Sequence, residues 1–265
     1  MSEESFETIL FGHAGDVATI TLNRADKLNS VNRTMHAELR VALDRVATSG
    51  ARCLVLTGAG RGFCAGQDLA ERRRGADDAP PDLGAGLDTL YNPLVRRLRA
   101  LPLPTVAAVN GIAAGAGANL ALACDIAVAA RSASFVQAFA RIGLVPDCGG
   151  TWFLPHLVGR ARALALAMTA ERLPAERAAE WGLIWSCVDD ADLAATVAAL
   201  AASLAALPTG ALVATRRAID AATTNDLDTQ LDLERDLQRE AGRSADYREG
   251  VTAFLEKRAP RFTGR

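Results

Sequence analysis

Asp147 stands in Gly143-Leu-Val-Pro-Asp147-Cys-Gly-Gly-Thr151, a carboxylate set between apolar residues and a glycine pair. Withdrawal from water behind Leu144, Val145 and Pro146 would raise its proton affinity, which suits a general acid/base. The same residue could instead cap a helix: Asp is a favoured N-cap and Thr151-Trp-Phe-Leu154 opens an apolar segment, although Gly150 or Thr151 would serve as well. Two glycine-rich turns offer a second kind of chemistry. In Phe63-Cys-Ala-Gly-Gln-Asp-Leu69, Gly66 permits a backbone twist that points the N–H of Gln67 into a cleft. Further on, an apolar run ending at Asn110 leads into Gly111-Ile-Ala-Ala-Gly-Ala-Gly117 and then a segment that can be helical. Such a turn leaves bare N–H groups at the mouth of a helix, where negative charge is favoured. Each turn follows a buried strand. Two parallel strands can carry two N–H groups to one point, and polarising a carbonyl oxygen requires that.

Other patterns carry less. Gly60-Arg-Gly62-Phe-Cys-Ala65 matches the dinucleotide-binding spacing, but that reading needs an acidic residue about 20 positions on at the end of a strand. The region there, 81–86, reads as loop, so the pattern is taken as a tight turn. His13, His36 and His156 lack metal-ligand spacing, no Ser or Cys sits in a nucleophile elbow, and the three histidines read as structural or solvated. Arg72-Arg-Arg74 reads as a solvated loop, with contact to ligand phosphates as the lesser alternative.

The elements that must hold these groups follow an α/β order. Residues 16–23 alternate like a half-buried strand, and Asn32 or Thr34 caps a helix whose Met35, Leu39, Ala42 and Val46 share a face. Strands are expected at 53–57, 105–110 and 126–130, and a helix at 91–101. Residues 70–90 read as an exposed loop. After about residue 151 strand signals fade, and helices are expected at 160–170, 174–181, 192–207, 211–222, 227–240 and 247–257. Val251, Phe254 and Leu255 fall on one side of the last, a face for the molecule's own core or for a neighbouring subunit.

At 265 residues, half of them hydrophobic, the chain can bury a sizeable core. A net charge of −2 gives no electrostatic argument for nucleic acid or an anionic membrane. Five cysteines without a CxxC pair suggest reduced thiols in the cytoplasm. The acidic start does not suit a signal peptide, and the longest apolar run, 193–207, is too short to span a bilayer.

Taken together, Leu22-Asn-Arg-Ala-Asp-Lys-Leu-Asn29, Leu56-Thr-Gly-Ala-Gly-Arg-Gly-Phe-Cys-Ala-Gly-Gln-Asp-Leu69, Ala108-Val-Asn-Gly-Ile-Ala-Ala-Gly-Ala-Gly117 and Arg248-Glu-Gly-Val-Thr-Ala-Phe-Leu-Glu-Lys-Arg258 resemble the crotonase superfamily of enoyl-CoA hydratases and isomerases. The resemblance implies an α/β fold, a ClpP-like spiral of ββα units over 1–195, followed by a helical trimerisation region over 196–265. It implies trimers or hexamers and an acyl-CoA ligand whose thioester oxygen accepts two backbone N–H bonds. Position by position, those donors fall on Gln67 and Ala116. Ala65 to Leu69, with Asp68 among them, would line the CoA, and Lys27 would approach its phosphates. Coenzyme A arrives as part of the substrate, and no metal, flavin or nicotinamide is expected.

A departure narrows the activity. Hydratases of the superfamily use two glutamates, and the aligned positions here are Asn119 and Phe139. Neither side chain can activate water, which leaves Asp147, the position of the acid in dienoyl-type isomerases and chlorobenzoyl-CoA dehalogenases. A closer likeness, carried by Tyr91-Asn-Pro-Leu-Val-Arg-Arg97, Ile142-Gly-Leu-Val-Pro-Asp-Cys-Gly-Gly-Thr-Trp152 and Ala241-Gly-Arg-Ser-Ala-Asp-Tyr-Arg-Glu-Gly250, is to bacterial isomerases that turn a ring-epoxidised phenylacetyl-CoA into an oxepin-CoA. Phe139 and Trp152 are then expected to wall an aromatic-sized acyl pocket. The rivals are a Δ3,Δ2-enoyl-CoA isomerase using the same Asp147 and a non-catalytic acyl-CoA-binding subunit.

Overall fold

The structure, a computed structural model, describes residues 6–72 and 81–264. The chain opens with an antiparallel pair, β1 (Ile9–Ala14) and β2 (Val17–Leu22), and then α1 (Arg33–Thr48). Asn32 caps α1 by accepting from the Met35 N–H at 2.9 Å. Next come β3 (Cys53–Gly58), β4 (Gly62–Cys64), a helix α2 (Leu83–Gly86) that runs through a wide turn at Leu87–Tyr91, and α3 (Asn92–Arg99). The middle of the chain gives β5 (Thr105–Val109), β6 (Ile112–Ala114), α4 (Ala116–Leu122), β7 (Ile126–Ala130), β8 (Ser134–Val136) and α5 (Gly150–Thr169). The rest is β9 (Arg172–Pro174), α6 (Ala175–Glu180), β10 (Ser186–Val188), α7 (Leu193–Ala206), α8 (Thr209–Ala221), α9 (Leu227–Ala241) and α10 (Ala245–Glu256).

These strands sort into two sheets, ordered β1-β2-β3-β5-β7-β10 and β4-β6-β8-β9. Three times in succession the chain passes up a strand of the large sheet and turns into a strand of the small one; twice it returns directly through helix, and the third time α5 leads first to β9 of the small sheet before α6 returns it to β10. The pairs β3–β4, β5–β6 and β7–β8 are thus repeats of a ββα unit wound as a spiral. Within each sheet the neighbouring strands of these repeats are parallel, so β4, β6 and β8 end side by side.

Several sequence expectations need adjusting. The strand expected over 105–110 is β5, and the glycine-rich stretch after it, read as a loop, holds a further strand, β6, in the other sheet. Strands also persist past residue 151: β9 closes the small sheet against β8, and β10 adds a parallel edge to β7. The loop expected over 70–90 is partly helical. Asp82 caps α2 by accepting from Ala85 N–H, while Arg73 and Arg74 lie outside the described residues. The division expected at 195/196 falls inside α7, which packs on β2, β3, β5 and β7. No single helix among the described residues is long and apolar enough to cross a bilayer. All five cysteines are unpaired, and only Cys187 is not fully buried.

Candidate active site

The small sheet builds the site. Beyond β4 the chain runs through Ala65, Gly66 and Gln67, and beyond β6 through Gly115 and Ala116, so neighbouring parallel strands deliver the two glycine turns together. Gly66 has φ +89°, and a Cβ there would stand 2.7 Å from Ala114 O and 3.5 Å from Ala116 N. Only glycine lets the two turns come this close.

The direction of the Gln67 N–H follows from its neighbours. Val31 N–H donates to Gly66 C=O at 2.7 Å, and Asp68 N–H donates to Val31 C=O at 2.9 Å, forming a parallel bridge between Val31 and Gln67. With residues 66 and 68 bonded to one partner, the N–H of residue 67 points to the opposite side. Ala116 is the first residue of α4, where no preceding turn takes its N–H.

Asp147 lies between β8 and α5, in a turn that its side chain does not cap. Gly149 occupies the N-cap of α5 in a left-handed conformation, without a side-chain cap, so the capping role considered from sequence is not used. The backbone of Asp147 is held twice: its C=O accepts from Gly150 N–H at 2.8 Å and from Asn119 Nδ2 at 2.8 Å. The following residue, Cys148, has φ +51°, a conformation costly for a non-glycine residue. Burial pushes the Cys148 thiol far up, and the neighbouring Asp147 charge adds to that, so Cys148 is no nucleophile.

The apolar surround expected of Asp147 is drawn differently. Val145 is 77% exposed, with Leu144 and Pro146 half-buried, and these residues line a surface cavity of about 560 Å³ together with α5. The buried apolar neighbours of the site come from elsewhere: Tyr91 packs with Ala116 and Cys148, backed by Leu87, Leu90 and Val95. Phe139 is buried, and its ring faces Gly115, where a Cβ would lie 3.6 Å from Cζ. Trp152 is not a wall of this kind. It is 39% exposed on the outer side of α5, its ring 4.5 Å from that of His156 and beneath the Arg99 guanidinium. Its neighbours Gly150, Phe153 and Leu154 take the inward face of the helix.

The remaining expected residues form one strip. Ala65 N–H donates to Leu28 C=O at 2.9 Å, which stitches the strip to the turn carrying Lys27. The Lys27 ammonium is exposed and 3.7 Å from Asp26, and Leu69 is exposed at the strip's end. Asp68 pairs with Arg24 at 2.8 Å. Burial acts to raise the Asp68 carboxyl, but the Arg24 hydrogen bond, the Ala70 N–H and the charges of Arg24 and Lys27 outweigh it and hold the group below its ordinary value. A cavity of about 350 Å³ opens beside Gln67, bounded by Asn32, His36 and Tyr91. Sequence reasoning singled out neither Tyr91 nor Gln137, whose Nε2 donates to Asn119 Oδ1 at 2.8 Å. Among the described residues no three His, Cys, Asp or Glu side chains gather as a metal set.

Comparison with known proteins agrees with this architecture. The family model for enoyl-CoA hydratase/isomerase matches residues 12–265. The 1,2-epoxyphenylacetyl-CoA isomerase of Escherichia coli K12 is 60% identical over 250 residues, covering 94% of this chain and 95% of that protein. A Rhodobacter capsulatus protein described as a probable enoyl-CoA hydratase is 51% identical over 265 residues, covering 98% and 100%. Among solved structures, an enoyl-CoA hydratase from Bacillus anthracis superposes with a TM-score of 0.91 at 33% identity, covering 98% of this chain and 100% of that one.

Proposed function

The chain belongs to the enoyl-CoA hydratase/isomerase family as an acyl-CoA isomerase, and we propose that its substrate is ring-1,2-epoxyphenylacetyl-CoA, which it converts to an oxepin-CoA. The 60% identity to the Escherichia coli isomerase supports the substrate. One observation carries the isomerase reading over hydration: the side chain at 119 is an amide already engaged with the Asp147 carbonyl, and that at 139 is a phenyl ring. Neither can take a proton from water, and Asp147 is left as the acid/base.

In this reading the thioester oxygen accepts from the N–H groups of Gln67 and Ala116. Charge developing on it as the adjacent carbon loses a proton is stabilised, each such donor being worth about 3–4 kcal/mol in other enzymes. The ring C–C bond shared with the epoxide breaks, its electrons redistributing among the ring double bonds to give the seven-membered oxepin, and Asp147 takes the proton from the carbon beside the thioester and returns one to the ring, so no atom is gained or lost. Tyr91 and Phe139 supply the aromatic walls. Ala65, Asp68 and Leu69 border the CoA, Lys27 lies toward its phosphates, and the CoA itself is the only coenzyme involved. The protein acts in the cytoplasm as a trimer or hexamer joined through α10, whose Phe254 and Leu255 are 82% and 73% exposed.

Asp147→Asn tests the acid. It is expected to lower kcat for oxepin-CoA formation by about 10²–10⁴ with little change in KM. A rate near wild type would remove Asp147 from the chemistry. Running 3-enoyl-CoA beside the epoxide ranks the double-bond-shift reading, and acyl-CoA bound with no turnover of either would make the chain a binding subunit.

A further inference from the structure

We propose that Asn119 is a positioning residue, oriented by Gln137, that sets where Asp147 stands relative to the two thioester-binding N–H groups; the proposal rests on Asp147 being the acid. Asn119 is fully buried and bonded at both ends, Nδ2 to the Asp147 carbonyl and Oδ1 to Gln137 Nε2, each at 2.8 Å. The order of this chain is forced. A backbone carbonyl only accepts, so the amide must turn its NH₂ toward Asp147, and its oxygen then requires the NH₂ of Gln137.

Three observations argue that the bond fixes geometry and does more than satisfy a buried atom. The Asp147 carbonyl already accepts from Gly150 N–H, so it would not be left bare without Asn119. The network leaves Gln137 Oε1 buried and unpartnered, a worse outcome for stability than an apolar pair. And Asn119 is wedged against the turn: a Cβ on Gly150 would lie 2.4 Å from its Nδ2. A strained turn, with Cys148 at φ +51°, persists only when its surroundings over-determine it.

The placement gives the bond its use. Ala116 and Asn119 are the first and fourth residues of α4, about 4.5 Å apart along the helix axis. One rigid turn of helix therefore presents a thioester donor at its start and anchors the acid's backbone at its end. Gln137, just past β8, ties the third neighbouring strand of the small sheet into the same unit.

The test uses phenylacetyl-CoA, an unreactive arylacetyl thioester, in D₂O. Deuterium uptake at the carbon beside the thioester reads the proton step alone, and Kd for the same compound reads binding. Asn119→Leu is expected to slow exchange and kcat together by 10–100-fold while Kd stays within threefold. Gln137→Met, which removes the hydrogen bond to Asn119, is expected to slow exchange 3–10-fold, and the double variant to be no slower than Asn119→Leu. Exchange within twofold of wild type in Asn119→Leu, or Kd rising in step with the lost rate, overturns the proposal. If Asn119→Leu does not fold, Gln137→Met decides on the same terms, exchange within twofold of wild type overturning it. Asp147→Asn is run alongside. Wild-type exchange there sinks the acid assignment itself, whereas a dead Asp147→Asn beside a fully active Asn119→Leu sinks only the clamp.

Discussion

His36 is a residue at odds with its surroundings. It is 2% exposed, edge-on to Tyr91, and neither ring nitrogen has a hydrogen-bond partner. Burial lowers its pKa from 6.5 to about 4, so the folded protein keeps the ring neutral where the unfolded chain would protonate it. Between those values the unfolded state holds more protons, and stability falls as pH drops from about 6.5 toward 4, by up to about 3 kcal/mol, then levels off. Urea midpoints at pH 7.5 and 4.5 should show this decline in wild type and a smaller one in His36→Leu; equal slopes would refute it. The same burial shows what could be read from sequence at this scale. Asp147 and Gln67 announced themselves because a lone carboxylate or a glycine turn is unusual beside apolar residues. The bonds of Asn119, which the resemblance marked only as standing where hydratases keep a glutamate, were not legible, nor were Gln137 and Tyr91 as site residues, because these roles come from partners 18 and 28 positions away, or on another repeat.

Among the elements, α4 is pressed directly against strand β4. A Cβ at Gly117 would lie 2.2 Å from the Cys64 carbonyl oxygen, so helix and strand β4 touch backbone to backbone. Gly117→Ala must push the start of α4, and with it the Ala116 N–H, away from the Gln67 turn. We expect a loss of about 1–3 kcal/mol in urea unfolding and a fall in kcat of at least about tenfold, consistent with displacing one oxyanion donor. Unchanged kcat would mean that the donor position tolerates the shift. Long periodic helices were legible, as were the buried strands β3, β5 and β7. The three-residue strands β4, β6, β8, β9 and β10 were not, since so few residues show no period and their pairing is decided by the spiral. Helix α2 was hidden by Gly84 and Gly86, poor helix formers that here lead into a turn whose Leu87, Leu90 and Tyr91 pack toward the site.

At the scale of the whole molecule, two arginines fasten the C-terminal helices to the spiral. Arg216 on α8 donates to Asp125 at 3.0 Å and to the carbonyls of Leu101 and Leu103, while Arg52 donates to the carbonyls of Leu207 and Phe262. Arg216→Ala removes a donor from the Leu101 and Leu103 carbonyls and the counter-charge of Asp125, which keeps its bonds from Thr105, and should cost about 2–4 kcal/mol in thermal or urea unfolding; a neutral result would show α8 held by packing alone. The exposed Phe254 and Leu255 lie further out on α10, and Phe254→Glu with Leu255→Glu should reduce the particle mass measured by light scattering to that of one chain. An unchanged mass would mean that α10 does not join copies of the chain. The thiols add a practical consequence. Burial drives Cys53 and Cys64 to about 12, and Cys124 and Cys148 further still, whereas Cys187 on edge strand β10 is only half-buried and less perturbed. A maleimide dye or a nitroxide probe should therefore attach at one address in the unmodified polypeptide, giving a reporter beside the large sheet with no need to engineer the other four away.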